Sequence, residues 1–243
     1  PGGALIGRKG IELEPRLQEG VTLYTYSREE GDFHAENVRI GGGEIVFDYI
    51  SPFGNITDVQ LGVPVAINIE NGIAAMALAQ ISGADKEEIK TAMASFRGVD
   101  RRFDFKIKNE KVVFLSDYAH HPEEIRQSIL SMRALYEDKK LTAIFQPHLF
   151  TRTRDFYQEF ADSLSLLDEV ILTDIYPARE LPIEGVSSQL IYDQLRPGIE
   201  KTLCKKEEIL EIIKQKNIEV LITLGAGDIE NYVQPICEIL NGK

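Results

Sequence analysis

From residue 111 onward, the sequence alternates short apolar runs with longer amphipathic segments. The apolar runs, which have the length of strands, cover residues 112–115, 141–145, 169–173 and 219–224. Segments with helical spacing cover residues 122–136, 153–166, 187–195, 206–215 and 229–240. This alternation is typical of right-handed βαβ units. It predicts an α/β fold in which a parallel sheet carries helices on both faces.

The first hundred residues have a different pattern. Four stretches rich in β-branched and aromatic residues cover 21–26, 33–40, 44–50 and 57–63, and two helical segments follow at 71–82 and 85–96. The stretch GGALIGRK near the start lacks the G-K-[ST] step of a P-loop, and we predict a turn there. We place a domain boundary near residue 100 and interpret residues 97–110 as a charged bridge. Because the chain starts with neither Met nor a signal peptide, we expect it to begin inside a longer protein.

The composition is that of a globular protein, with 43% hydrophobic and 27% charged residues. The formal net charge of −12 argues against a sequence-independent nucleic-acid binder. No apolar run reaches the roughly eighteen residues of a membrane-spanning helix, so we expect no membrane insertion. Cys204 and Cys237 fit neither a zinc site nor a disulfide framework, which favours the reducing cytoplasm.

Residues capable of chemistry follow each predicted strand of the second half. They fall in the segments 117–122, 146–154, 174–180 and 225–228. Three of the four histidines, His120, His121 and His148, belong to these segments. Because ligands of open parallel sheets bind at the carboxyl ends of the strands, we expect these side chains to converge at one edge.

Each element of this edge also has a purely structural interpretation. His121 precedes Pro122 and could simply start a helix. The sequence Gly225-Ala226-Gly227 is either half a phosphate loop or a plain turn. Metal binding by the three histidines is disfavoured because adjacent histidines rarely point at one ion, and no G-x-S-x-G elbow of a serine hydrolase is present.

Two pairs of arginines are the main cationic features. Arg152 and Arg154 stand where a helix is predicted to begin, and cations there oppose the helix dipole unless an anion is nearby. On an acidic protein this arrangement favours an anionic ligand. Arg101 and Arg102 lie at the predicted domain junction. They are either solvated linker charges or contain one guanidinium that clamps a phosphate.

Five blocks of sequence, in this order, resemble the C-terminal half of the Mur ligases: GVDRRFDF, SDYAHHPEEI, FQPHLFTRTRDF, DIYPARELPIEGVSS and LGAGDI. The resemblance covers residues 68–243 and is strongest to the members that join L-alanine to UDP-N-acetylmuramate in peptidoglycan synthesis. It implies that residues 1–100 are the C-terminal part of a central ATP-binding domain and that residues 101–243 are a C-terminal Rossmann-like domain. It also implies that the family's P-loop and Mg²⁺ ligands lie upstream.

The resemblance assigns roles to eight residues of this sequence. Those implied to contact ATP are Asn68, Asn71, Arg102 and Asp117. Those implied to hold L-alanine and the substrate carboxylate are Tyr118, His120, His148 and Arg152. Arg102 and His120 are the two implied to act in catalysis. Two departures from the family pattern, Ile67 and Leu149, fall beside these residues.

The resemblance also implies the reaction. ATP would phosphorylate the lactoyl carboxylate of the sugar nucleotide, and the amine of L-alanine would attack the acyl phosphate. His120 or His148 could orient the alanine ammonium or take a proton from it. Two alternatives stay open: a muropeptide-recycling ligase that attaches a tripeptide, and a Rossmann-like module that holds a nucleotide without catalysis.

Overall fold

The computed structural model describes residues 2–12 and 14–242, and the chain divides into two compact units, Pro1–Arg97 and Gly98–Lys243. The strands of the first unit are β1 (Ala4–Arg8), β2 (Thr22–Tyr26), β3 (His34–Gly41), β4 (Glu44–Ile50) and β5 (Ile56–Gln60). Its helices are α1 (Ile67–Ile81) and α2 (Lys86–Ser95). None of the helices in the described ranges of the whole chain has the length and apolar content that crossing a membrane requires.

The first unit contains two separate small sheets. Strands β3, β4 and β5 form an antiparallel sheet in that order, and alternate residues of β4, namely Ile45, Phe47 and Tyr49, are buried. Strand β1 pairs in parallel with β2. The turn predicted near the start is therefore wrong, because residues that look featureless alone become a strand once β2 pairs with them. Helix α2 begins with a capping box between Asp85 and Glu88.

The second unit is built on a six-stranded sheet. Its strands are β6 (Asp104–Lys108), β7 (Val113–Asp117), β8 (Leu141–Phe145), β9 (Glu169–Leu172), β10 (Glu200–Leu203) and β11 (Val220–Leu224). Its helices are α3 (Pro122–Leu135), α4 (Phe150–Leu164), α5 (Gln189–Gln194), α6 (Ile209–Gln215) and α7 (Val233–Asn241). The strand order is β10-β9-β8-β11-β7-β6.

The predicted α/β class and the parallel pairing of the inner strands are confirmed, with two corrections. Strand β6 pairs antiparallel to β7, so residues 97–110 are not merely a charged bridge. The charges of this segment hide its strand pattern, but Ile107 alternates with them and enters the core. The edge strand β10 was also not predicted, because its sequence EKTL has too few apolar residues to mark a strand.

Helices cover both faces of this sheet. On one face, Phe114 belongs to the same buried cluster as Ile213 of α6 and Ile236 of α7. On the other face, the ring of Phe145 meets the ring of Phe160 of α4 at 5.2 Å between centroids. Each such buried side chain contributes about 1.5–3 kcal/mol relative to an exposed one. Because β7, β11, β8 and β9 pair in parallel, their carboxyl ends lie at a single edge of the sheet.

Candidate functional site

His120 lies in the loop that follows β7, and the surrounding chain holds its ring. Its Nδ1 lies 2.9 Å from the carbonyl oxygen of Tyr118, and the two rings meet edge-on at 5.2 Å between centroids. Because a carbonyl oxygen only accepts, Nδ1 carries the hydrogen of this bond, and Nε2 is the nitrogen left to gain or lose a proton. The carboxylate of Glu124 accepts the backbone N–H of His120 at 3.0 Å and orients the loop.

His121 faces a different neighbour. Its ring lies 5.1 Å from that of Phe156 on α4, and its residue is the N-cap of α3, directly before Pro122. The interpretation of His121 as a helix start is confirmed. Within residues 2–12 and 14–242, no group of three His, Cys, Asp or Glu side chains is arranged to hold a metal ion.

His148 follows β8, and Tyr176 follows the neighbouring strand β9. The two loops continue the strand pairing: Tyr176 N–H donates to Pro147, and Leu149 N–H donates to the Tyr176 carbonyl at 2.9 Å. The rings of His148 and Tyr176 stack at 5.6 Å. Leu149 has φ of +74°, which costs a non-glycine residue about 1–3 kcal/mol. The surrounding hydrogen bonds hold this strained residue, and it sets the position of His148 beside helix α4.

The rings of His120 and His148 lie 6.0 Å apart, so the predicted convergence of these two histidines is confirmed. Arg152, one helical turn after His148, places Nη1 3.5 Å from His148 Nδ1. A guanidinium can only donate, so this Nδ1 is the acceptor and Nε2 of His148 carries the hydrogen. Burial, the Arg152 charge and His120 all lower the pKa of His148, which favours the neutral ring. One imidazole therefore presents an acceptor and the other a donor.

The start of helix α4 already has an anion of its own. The Glu180 carboxylate accepts the backbone N–H of Thr151 at 3.0 Å and also the Thr151 hydroxyl. These hydrogen bonds hold the pKa of Glu180 below its ordinary value. Arg154 pairs with Asp155 at 2.7 Å. Two carboxylates of the chain therefore place negative charge at this helix start, and the preference of Arg152 for an anionic ligand stays a prediction.

The two arginines at residues 101 and 102 differ in their surroundings. Arg101 forms an ion pair with Glu230, with Nε 2.8 Å from Oε2, and its guanidinium carbon lies 4.7 Å from the centroid of the Tyr118 ring. Arg102 is exposed, and its side chain forms no ion pair or hydrogen bond with the part of the chain that the structure describes. Of the two, Arg102 is the one whose charge is available to a ligand.

The carboxylate of Asp117, at the end of β7, is engaged within the second unit. It accepts hydrogen bonds from the Ser128 hydroxyl and, at 3.4 Å, from the Phe103 backbone N–H. Burial raises the pKa of Asp117 despite these bonds. In this structure Asp117 therefore holds the segment that contains Arg102.

The Gly225-Ala226-Gly227 sequence forms a turn between β11 and a 3₁₀ turn, Asp228–Tyr232. Gly225 has φ of +142°, and a Cβ at Gly227 would collide with Gln146 Oε1 and lie 2.7 Å from Cβ and Cγ of Tyr176. Both glycines are thus required by backbone conformation and by close packing. The geometry matches a plain turn that supports Tyr176.

Asn68 and Asn71 lie in the first turns of α1, in the first unit. The Asn68 amide donates to the Val63 carbonyl at 3.2 Å, and the Asn71 amide donates to Asn68 Oδ1 at 3.2 Å. The helix begins at Ile67, earlier than the predicted start at residue 71. These two residues thus form a pair in which Asn71 is exposed.

Tyr176 and Arg101 contact the candidate site residues; the sequence assigned Tyr176 no specific role and left open only a phosphate clamp for one of the Arg101–Arg102 pair. Tyr176 follows β9 at the expected edge, so its position was a usable signal. The contact of Arg101 with Glu230 joins distant parts of the sequence, and no local pattern reports it.

Comparison with known proteins gives one consistent result. A family described as "Mur ligase, glutamate ligase domain" matches residues 101–228, just over half of the chain. The chain is 79% identical over 243 residues to the UDP-N-acetylmuramate–L-alanine ligase of Phocaeicola vulgatus, covering 100% of this chain and 53% of that protein. It is 57% identical over 242 residues to the Parabacteroides distasonis protein of the same name, covering 99% and 52%. The solved structure of the corresponding Thermotoga maritima ligase is similar, with a TM-score of 0.74 and 27% identity over 90% of this chain and 48% of that one. The chain thus spans about half the length of the curated relatives it matches.

Proposed function

The chain belongs to the Mur ligase family, and from that premise we propose that it supplies the amino-acid site of a ligase that joins L-alanine to UDP-N-acetylmuramate. The pair of imidazoles with opposite hydrogen-bonding character, His120 and His148, carries this proposal. Residues 1–100 would be the C-terminal part of the central ATP-binding domain. Residues 101–243 would be the C-terminal Rossmann-like domain.

L-Alanine is a zwitterion, and the site presents a complementary group for each of its charges. The Nε2–H of His148 and the guanidinium of Arg152 would bind the carboxylate of alanine. The lone pair on Nε2 of His120 would accept a hydrogen bond from the ammonium. Tyr118 and Tyr176 form the walls that hold the two imidazole rings. This assignment explains why the two histidines lie close together although Nδ1 of His120 faces a carbonyl oxygen and Nδ1 of His148 faces a guanidinium.

The ammonium must lose a proton before its nitrogen can attack. His120, with Nδ1–H bonded to the Tyr118 carbonyl, would take that proton on Nε2 and become an imidazolium that donates at both nitrogens. The freed amine would attack the acyl phosphate of the sugar nucleotide, forming the amide C–N bond while the C–O bond to phosphate breaks and the amine's second proton leaves with the phosphate. Holding the amine against the acyl phosphate can lower the barrier by roughly 7–11 kcal/mol.

Mur ligases use ATP, and we propose that Arg102, Asn68 and Asn71 contact it. Arg102 has the exposed cation that the phosphates require, while Asn68 and Asn71 offer amides and Asp117 holds the Arg102 segment. Within the described residues, no group of three His, Cys, Asp or Glu side chains is placed to hold Mg²⁺.

The test is a complete ligase, made by joining this chain to the N-terminal half of the Phocaeicola vulgatus relative. With ATP, Mg²⁺ and UDP-N-acetylmuramate, it should release ADP on addition of L-alanine, and more slowly with glycine or L-serine. The chain alone should show no alanine-dependent ADP release. Turnover with the tripeptide instead of L-alanine would support the recycling ligase. A folded but inert chimera would favour a module that only binds.

A further inference from the structure

Arg101 contacts two separate parts of the second unit, the turn after β11 and the loop after β7. Its Nε pairs with Glu230 at 2.8 Å, and its Nη2 lies 3.5 Å from the Gly227 carbonyl oxygen. The face of the Tyr118 ring lies under its guanidinium, 4.7 Å from carbon to centroid. The side chain is thus held at one end by the turn after β11 and meets the candidate site at the other.

The backbone of Arg101 is fixed as well. Its φ of +64° lies in the left-handed region, which is unusual for a residue with a side chain. Its carbonyl accepts the N–H of Tyr118 at 2.6 Å, and its N–H donates to Asp104 at 3.2 Å. Main chain and side chain therefore hold Tyr118 from two sides. Tyr118 in turn contacts His120 through its ring edge and its carbonyl.

We infer that Arg101 is a positioning residue for the amino-acid substrate: anchored by Glu230 and Gly227, it holds Tyr118 and, through Tyr118, His120. The inference rests on the proposed function of His120 as the residue that receives the alanine ammonium. In this role Arg101 acts through Tyr118 and needs no contact of its own with the nucleotide or the reacting atoms. Its neighbour Arg102 keeps the role proposed for it at the phosphates.

The chemistry of the contacts requires arginine at this position. A planar guanidinium can form an ion pair with one partner and donate from Nη2 to a second while its face covers an aromatic ring. A lysine ammonium has the same charge but a single centre, so it can keep the Glu230 pair and lose the flat contact with Tyr118. Arg101→Lys therefore separates the charge of Arg101 from its shape.

The first experiment uses Arg101→Lys in the complete ligase described above. The KM for L-alanine should rise 3- to 10-fold, while the KM values for ATP and UDP-N-acetylmuramate stay within twofold. The matched control is Arg196→Lys, since Arg196 is largely exposed and its pair with Asp162 is long, at 3.8 Å. If Arg101 only stabilised the fold, Arg101→Lys would lower the apparent kcat by reducing the fraction of active enzyme and would leave the KM for L-alanine unchanged. If the wild-type ligase is active and the variant gives that result, the inference is overturned but the proposed function is not.

The second experiment needs no activity and uses the chain by itself. In the histidine ring NMR spectrum, Arg101→Lys and Glu230→Gln should both shift the His120 Cε1–Hε1 signal, with the smaller change for Glu230→Gln. His34, in the first unit, is the internal reference and should not move. Unchanged His120 signals in both folded variants would show that Arg101 does not position this ring.

Discussion

The two ends of the six-stranded sheet differ in how their charged side chains are paired. At the amino end, Glu169 is 2% exposed and is paired with Lys140 at 3.1 Å and with Lys216. At the carboxyl end, Arg152 has only the neutral ring of His148 as a polar partner among the described residues. Both ends contain ion pairs, but the amino end encloses a buried carboxylate between two lysines, whereas Arg152 at the carboxyl end has no carboxylate partner among the described residues.

The pKa directions reflect this difference. Burial alone would raise the pKa of Glu169, but hydrogen bonds from Lys216 and Lys140 outweigh it, so the pKa lies below its ordinary value. For His148, burial and the Arg152 charge act together and lower the pKa. Paired charges at the amino end therefore contribute stability, whereas the carboxyl end keeps groups poised for a ligand.

Removing the proposed proton acceptor should have the largest effect. His120→Asn in the complete ligase should lower kcat/KM for L-alanine at least 100-fold, because loss of a general base typically costs that much. His121→Asn is the matched control, since His121 faces Phe156 and asparagine also caps helices, and its activity should stay within threefold. If kcat and the alanine KM are both unchanged in His120→Asn, the role of His120 is wrong.

At the amino end, Glu169→Gln should lower the free energy of unfolding by about 2 kcal/mol at pH 7, because two lysines lose their buried partner. Urea denaturation of the chain measures it. Since the folded-state pKa of Glu169 is lowered, its contribution is present above the unfolded value near 4.5 and is lost as pH falls through the folded value. The difference from wild type should therefore shrink in acid. The control is Glu211→Gln: Glu211 forms an exposed ion pair with Lys214, so its loss should change the free energy of unfolding by less than about 0.5 kcal/mol.

The smallest effect concerns the titration of His148. Its NMR midpoint should lie below the ordinary value near 6.5, and Arg152→Gln should move it upward by removing a neighbouring charge. Because the folded-state pKa is lowered, protonation of His148 costs stability as pH falls from the unfolded value through the folded one. Arg154→Gln is the control: Arg154 pairs with Asp155, so this substitution should leave the titration midpoint of His148 unchanged. A wild-type midpoint above 6.5 would contradict a partly buried ring that stays neutral beside Arg152.

The sequence pattern was sufficient to predict most of the strands of the second unit and the shared position of two site histidines. Alternating apolar runs predicted the parallel strands, and strand ends predicted that His120 and His148 would share an edge, because parallel strands end on the same side. The same reasoning failed for β1 and β6, whose residues become strands only when a neighbour pairs with them. Local pattern predicts an element when the element buries its own apolar face.

The orientation of the side chains depended on the tertiary structure. Contacts such as Arg101 with Glu230, or Glu180 with Thr151, join residues far apart in the chain, and the left-handed backbone of Leu149 is held by hydrogen bonds from another loop. The amino-acid sequence by itself determined which residues reach the carboxyl edge, since strand periodicity is local. Only the tertiary structure determined which of them face a ligand, because this depends on ion pairs and aromatic contacts between residues that are far apart in the chain.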